Sequence, residues 1–174
     1  MNDPLIQVLI AILPSVVVFL TASFLLKQML GVRAGDRALD LRKEVQKQSL
    51  PLRLQAYERL TLFAERVSPG PLVLRVHKSN MDARSLHGAL VATIREEFEH
   101  NVTQQIYVGD RAWAKVRQAK EETIRLMNLS YEQTAEGATG TDLSRRVFEN
   151  VGRLSHTPSQ EALLAIKEEV RRLF

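Results

Sequence analysis

Cysteine is absent from this 174-residue chain, and aromatic residues are scarce. The absence of cysteine excludes structural disulfides, thiolate metal sites and cysteine nucleophiles together. Aromatic residues make up only 6% of the sequence, whereas Leu, Ala, Val, Glu and Arg are common. That composition favours helices over a β-sandwich or a barrel. We therefore predict an all-α protein.

The excess of basic residues is local. Residues 27–53 contain seven Lys or Arg against three Asp or Glu, whereas residues 54–174 contain seventeen against sixteen. A nucleic-acid footprint would normally cover one face of a folded domain. The charge distribution therefore argues against a nucleic-acid partner.

One long apolar run stands near the beginning of the chain. Residues 5–26 read LIQVLIAILPSVVVFLTASFLL and contain no ionisable side chain. As a helix they would be roughly 33 Å long, enough for a hydrocarbon core about 30 Å thick. A cleaved signal peptide is the alternative, but it needs a basic start and a small-residue cleavage site. Asp3 is the only charge before the run, so we favour a retained signal-anchor in residues 1–26, kinked at Pro14.

Basic residues follow the apolar run, and no Lys or Arg precedes it. The positive-inside rule then predicts a single-pass protein of the inner (cytoplasmic) membrane, with its N-terminus outside and its C-terminal domain in the cytoplasm. The same residues are predicted to contact the membrane surface, where anionic headgroups attract them; setting the topology alone is the simpler interpretation. They are Lys27, Arg33, Arg37, Arg42, Lys43 and Lys47.

The remaining chain is predicted to form a juxtamembrane stalk, residues 27–50, and a cytoplasmic helical bundle, residues 51–174. In the stalk we expect a flexible exit and then a helix over 36–48, because Gly31 and Gly35 weaken a helix. Apolar residues at spacings of three and four predict about five bundle helices. Their approximate ranges are 51–67, 79–103, 111–133, 142–154 and 158–173.

Helix boundaries follow from capping patterns. Pro51 is expected to start a helix, and Ser79 and Asp82 resemble a capping box. Asp110 is expected to cap the next helix, and Thr157 opens a capping box with proline at the first helical position. LVLRV, residues 72–76, is predicted to be extended chain or a helix start, and EGATGT, residues 136–141, a flexible loop.

Glu97 and His100 form the pattern that di-iron bundles use for inward metal ligands. A helical wheel places Glu97 on the shoulder of the apolar stripe and turns His100 towards solvent. The di-iron pattern also needs a second Glu-x-x-His, which the sequence lacks. We therefore predict no metal ligands, no cofactor and no catalytic residues here.

Two polar residues fall on apolar stripes and form a possible functional polar core. His87 lies at the centre of its predicted stripe, where a histidine bonded to one carbonyl or side chain is the simplest interpretation and a pH-sensitive contact the alternative. Lys120 lies between Val116 and Ile124, where a lysine usually extends to solvent or pairs with a carboxylate rather than acting as a base.

Two segments resemble an uncharacterised family of small single-span, helix-rich membrane proteins of Bacteroidota-type bacteria. They are PLRLQAYERLTLFAERVSP, residues 51–69, and REEFEHNVTQQIYVGDRAWAKVRQAKEE, residues 95–122. The resemblance implies an anchored helical protein and brings no activity or catalytic residue with it.

The sequence thus predicts a membrane-anchored, non-enzymatic interaction or scaffold protein, or a small accessory subunit of a membrane complex. Its expected partners are the lipid bilayer and either another protein or a second copy of the chain; no small-molecule substrate is indicated. The alternative is a metal-dependent or acid/base enzyme that uses the region of Glu97 and His100, or His87.

Overall fold

A computed structural model describes the backbone of residues 4–173 and the side chains of residues 7, 11–28, 44 and 48–173. The described chain forms seven helices: six α-helices and one short 3-10 helix. They are α1 (Pro4–Arg66), α2 (Pro69–Val76), α3 (Ala83–Glu99), the 3-10 helix (Val102–Ile106), α4 (Asp110–Glu132), α5 (Gly140–Val151) and α6 (Pro158–Arg171). The all-α prediction is confirmed.

The chain divides into two compact units, Met1–Ser49 and Leu50–Phe174. The first contains a window, Ala11–Gln28, that is long and apolar enough to cross a membrane and has none of its residues buried. The division into anchor, stalk and bundle at residues 26 and 50 stays a prediction, as does a kink at Pro14.

Helix α1 continues through positions where the sequence predicted interruptions. The predictions of a flexible segment after residue 26 and of a new helix that starts at Pro51 are wrong, because residues 4–66 form one α-helix. Glycine costs a helix interior only about 1 kcal/mol, so Gly31 and Gly35 do not end it. Proline removes one backbone hydrogen bond and is normally expensive, at about 3 kcal/mol. Pro51 is exposed, so water can bond the carbonyl that lacks its helical donor.

The second unit, Leu50–Phe174 (the folded unit), buries one apolar core between its helices. α4 packs along α6 and α3, and α5 closes against α2, α3 and α4. The end of α1 contributes Leu60, Phe63 and Ala64, and α3 contributes Leu86, Leu90 and Ile94. The remaining helices therefore pack as a bundle, with α2 as an additional short helix where extended chain or a helix start was expected.

Capping groups decide where several helices begin. Asp82 alone caps α3, accepting a hydrogen bond from the Ser85 backbone N–H at 2.7 Å, so the predicted pairing with Ser79 is wrong. Gly109 rather than Asp110 occupies the cap position of α4. The capping box at Thr157, with Pro158 following, is confirmed. α3 ends at Glu99, earlier than predicted, and the 3-10 helix follows.

The segment before α5 is structured, contrary to the predicted flexible loop. Thr139 and Asp142 form a reciprocal capping box, so α5 begins at Gly140. Asp82 and Thr139 also form an isolated antiparallel bridge. The Gly140 N–H donates to the Met81 carbonyl at 2.9 Å, and the Ala83 N–H donates to the Ala138 carbonyl at 3.0 Å. These bonds fasten the starts of α3 and α5 together.

Candidate functional site

Glu97 lies in an arginine cluster where α1, α2 and α3 meet. Its carboxylate oxygen Oε1 forms two ion pairs, lying 3.0 Å from Arg66 Nε and 3.6 Å from Arg75 Nη2. Arg75 Nη2 also donates to the Arg66 carbonyl at 3.1 Å. Only 13% of the Glu97 side chain is exposed. A carboxylate this buried needs such partners, because an unpaired charge away from water is strongly destabilising.

The arginine cluster borders a cleft of about 230 Å³ between α1 and the end of α3. Arg59 and Leu62 lie on the α1 side, and His100 and Asn101 lie on the α3 side. Glu97 is half-buried and His100 exposed, as the helical wheel predicted. Asn101 is buried and donates its side-chain N–H to the Glu97 carbonyl at 2.8 Å. Glu97 and His100 thus border one cleft, although only Glu97 is held by other side chains.

The donor set at this cleft differs from that of a metal site. Among the side chains that the structure describes, no group of three or more His, Cys, Asp or Glu could hold a metal ion. The Glu97 carboxylate faces two guanidinium groups, Arg66 and Arg75. Among the described residues that line the cleft, Glu97 supplies the one carboxylate. Its two arginine partners would repel a cation that approached it. The cleft is instead suited to an anion.

A larger groove, of about 540 Å³, lies beside Lys120. Two basic residues and two acidic residues line it, together with Ile124, so its formal charges cancel. Lys120 Nζ lies 4.4 Å from the centre of the Phe98 ring, and Phe98 stacks on Trp113 at 5.5 Å. Lys120 is therefore half-buried and covers an aromatic cluster, a cation–π arrangement. The charged residues lining the groove are Arg95, Glu99, Lys120 and Glu121.

His87 lies beside the centre of the α3 stripe rather than on it. Leu86, Leu90 and Ile94 are fully buried, whereas His87 is half-buried. Leu90, Ile94 and Phe98 belong to both the predicted and the observed stripe, and Leu86 is buried where Val91 was expected, so the stripe is rotated from its predicted centre by only about 30°. His87 Nε2 lies 2.8 Å from Asn128 Oδ1, and its ring stacks on Tyr131 at 4.6 Å. It has the single side-chain partner expected of a structural histidine.

A second polar cluster, centred on Glu169, was missed by sequence reasoning. Glu169 Oε1 accepts hydrogen bonds from Tyr57 Oη and from the Gly109 backbone N–H, both at 2.7 Å. Arg53 donates to Tyr57 Oη at 2.8 Å and to the Tyr107 carbonyl at 3.1 Å. Burial raises the pKa of Tyr57, and its hydrogen bond to Glu169 raises that pKa further. The cluster joins α1, the start of α4 and α6.

The predicted membrane-surface residues are only partly described. Lys27 is exposed. The side chains of the other five lie outside the described residues: Arg33, Arg37, Arg42, Lys43 and Lys47.

The sequence pattern of a family of unknown function, DUF7935, matches residues 3–173. The chain belongs to this family. The match includes residues 51–69 and 95–122, the two segments that carried the resemblance. DUF7935 brings no activity, partner, membrane role or taxon to the chain. No curated protein and no solved structure matches it.

Proposed function

We propose that this DUF7935 protein is a membrane-anchored, non-enzymatic interaction protein, whose folded unit binds a protein partner or a second copy of the chain. The observation that carries the proposal is the exposed apolar part of α1. Ten large apolar side chains within it are between 48 and 71% exposed. They are Ile12, Leu13, Val16, Val17, Val18, Phe19, Leu20, Phe24, Leu25 and Leu26.

Those ten side chains surround the helix rather than forming one stripe. Val16, Val17, Val18, Phe19 and Leu20 are consecutive, so they point in every direction around the axis. A helix that is apolar all round belongs in a protein core or in a membrane. None of this window is buried, which favours a bilayer. The Thr21 hydroxyl supports the same environment, because it donates to the Val17 carbonyl of its own helix.

The proposed orientation and address follow from the basic residues after the apolar window. Lys27 lies at the end of the window, Arg33 and Arg37 lie within about three helical turns beyond it, and three more basic residues follow by residue 47. We propose that this side is cytoplasmic and that the membrane is the inner membrane, in accordance with the positive-inside rule. The same residues would contact anionic headgroups.

Binding rather than catalysis is supported by how the carboxylates of the folded unit are used. Glu97 is held by two arginines, and Glu169 accepts bonds from Tyr57 and Gly109. The acid/base alternative would rely on Glu97 and His100, which border the same cleft. Its weakness is that the charged oxygen of Glu97 already has two cationic partners. Large apolar side chains on the surface, such as Leu74 and Ile106, are available for contact with a partner.

The test is the state of the full-length protein in detergent-solubilised membranes. We expect cross-linking in intact membranes, followed by light scattering of the purified complex, to show a stoichiometric second protein or a second copy. Tagging the captured protein should recover this chain in return. A protein–detergent particle that contains one copy, with no cross-linked protein from intact membranes, would contradict the proposal.

A further inference from the structure

The side chains that line the cleft beside Glu97 carry an excess of positive charge. Two guanidinium groups, from Arg59 and Arg66, and a single carboxylate, Glu97, line this cleft. Arg75 lies 3.6 Å from the same carboxylate but does not line the cleft. Arg59 makes no ion pair or side-chain hydrogen bond with any residue the structure describes. The formal charge of the lining residues is therefore +1 with His100 neutral. In the groove beside Lys120, by contrast, the charges cancel.

Arg66 is held in position by one edge while its other edge stays available. Its Nε contacts Glu97 at 3.0 Å, and 56% of its side chain is exposed. The two terminal nitrogens of Arg66 donate no hydrogen bond to a described residue. A planar guanidinium fixed through Nε can still donate from those nitrogens to a second carboxylate. Because the side chain is already ordered, a ligand would lose less conformational entropy in binding it.

An apolar surface adjoins the free guanidinium groups. Leu62 lies one helical turn from both Arg59 and Arg66, lines the cleft and is 55% exposed. Phe63 forms part of the buried wall behind it. An occupant that complements this cleft carries a negative charge next to an apolar group. Arginine beside an exposed apolar residue is a common composition for the centre of a protein interface.

Acidic residues beside the cleft confine its positive charge. Glu58 and Glu65 precede Arg59 and Arg66 in the sequence, and both are exposed, as is Glu96 on α3. An extended polyanion, such as nucleic acid or an anionic membrane surface, would approach these carboxylates as well as the arginines. A single carboxylate on a short segment would avoid them. The surrounding charges therefore favour an acidic side chain of a protein over a polyanion.

We propose that the cleft formed by Arg59, Leu62, Arg66 and His100 binds a short acidic segment of a partner protein, in which Asp or Glu is followed by an apolar residue. The carboxylate bonds Arg59 and the free edge of Arg66, and the apolar side chain packs on Leu62. This inference rests on the proposed function, since it assigns a surface to the partner. Glu97 is a positioning residue here, because it holds Arg66 and Arg75.

Matched peptide probes test the proposal with the full-length protein in detergent. One set of labelled ten-residue peptides has a central Glu-Leu, and control sets have Gln-Leu or Glu-Ser at the same place. We expect the Glu-Leu set to bind at least about tenfold more tightly than the Gln-Leu set. Equal binding of the two sets, or no binding of the Glu-Leu set up to about 1 mM, would overturn the proposal.

Arg59→Glu is the deciding variant, because Arg59 has no partner whose loss would disturb the fold. It should weaken Glu-Leu binding by at least about tenfold, while Arg59→Lys retains part of it. Arg117→Glu is the matched control, an exposed arginine on α4 outside the cleft, and it should leave binding unchanged. Unchanged binding in Arg59→Glu would overturn the assignment. Binding of inorganic phosphate or phosphatidylserine vesicles that the Glu-Leu peptide does not displace would overturn it too.

Co-purification separates failure of this inference from failure of the proposed function. A partner recovered with the unsubstituted protein and lost with Arg59→Glu would support both. A partner recovered equally with Arg59→Glu would support the proposed function and overturn the role of the cleft. If neither form recovers a partner or a second copy, the proposed function itself fails, and the cleft assignment that rests on it fails with it.

Discussion

The two compact units use the same apolar residue types in opposite ways. In the first, Val17, Phe19 and Leu20 are largely exposed, and no residue of the window Ala11–Gln28 is buried. In the second, Phe63, Leu90 and Ile94 are essentially inaccessible to solvent. The folded unit obtains its stability in water by burying these groups against one another. The first unit has no such partners among the described residues, and its apolar window is the part that we propose to lie in a membrane.

The largest expected effect comes from placing arginine in each of the two regions. Val17→Arg combined with Leu13→Arg should release the protein from membranes, because each arginine near the centre of a span costs about 2.5–3.5 kcal/mol. Leu164→Arg with Leu154→Arg changes side chains that are similarly exposed, 52 and 43%, but belong to the folded unit. That pair should remain in the membrane fraction. The measurement is the distribution of the full-length protein after carbonate extraction and centrifugation.

If both arginine pairs leave the protein in the membrane fraction, the apolar window is not what holds it there. If both release it, exposure of the replaced side chains matters more than their place in the chain. Either result would remove the distinction between the two units on which the proposed anchoring rests.

Two glycine substitutions test how closely the folded unit is packed. A Cβ on Gly140 would lie 2.9 Å from the Met81 carbonyl oxygen and 3.0 Å from His77 Nε2, whereas a Cβ on Gly88 would meet nothing within 4 Å. Gly140→Ala should therefore lower the free energy of unfolding by about 1–3 kcal/mol. Gly88→Ala, inside α3, should raise it by up to about 1 kcal/mol.

Urea unfolding of the detergent-solubilised protein can measure both glycine effects through one probe. Trp113 is the single tryptophan, and it lies in the folded unit, stacked on Phe98. Its fluorescence therefore reports on that unit and not on the apolar window. Equal stabilities for the two alanine variants would show that the contact between Met81 and Gly140 is looser than the structure indicates.

Tyr57→Phe tests the polar cluster that fastens the end of α1 to α6. The variant removes the hydroxyl that donates to Glu169 and accepts from Arg53. Glu169 keeps the Gly109 N–H as a donor, so the expected loss is near the lower end for a bond to a charged group, about 1.5 kcal/mol. Urea unfolding followed by Trp113 fluorescence gives the value. Tyr107→Phe is the control, because its hydroxyl makes no hydrogen bond with a described residue; a similar loss in both would argue against the cluster.

Local features of the sequence were sufficient for much of the folded unit. The repeat of Leu90, Ile94 and Phe98 identified the buried side of α3, and the Thr157-Pro158 pair identified the start of α6. Both signals depend on residues within one or two turns of each other, so no knowledge of the tertiary structure is needed. The wheel also placed Glu97 and His100 correctly relative to that buried side.

Features that depend on distant residues were not predictable in the same way. Tyr57 and Glu169 are 112 positions apart, and nothing in either local pattern indicates that they meet. The arginines that hold Glu97 come from α1 and α2. A helical wheel of α3 could therefore show the direction of the Glu97 side chain but could not identify its partners. At Thr139 the cue was local but overlooked, since Asp142 takes the place that Glu or Gln usually has in a capping box.

Acid should affect the two units differently, although by the smallest amount among these tests. Asp82 and Asp142 cap α3 and α5, and both have a pKa below the ordinary aspartate value of 3.8. The Ser85 backbone N–H is the main cause for Asp82, and the Thr139 hydroxyl is the main cause for Asp142. A carboxyl group whose pKa is lower in the folded state adds stability above its unfolded pKa. That stability is lost as the pH falls through the folded pKa.

The urea midpoint of the folded unit, followed by Trp113 fluorescence, should therefore be constant above about pH 5 and decline as the pH falls below 3.8. Asp82→Asn with Asp142→Asn should make that decline shallower, because asparagine can still cap a helix but does not titrate. Membrane association should not change over the same range, since residues 5–26 contain no ionisable side chain. An undiminished decline in the double variant would mean that the two caps do not control the acid sensitivity. Release from the membrane in acid would mean that charged groups outside residues 5–26 contribute to anchoring, and that the apolar window does not act alone.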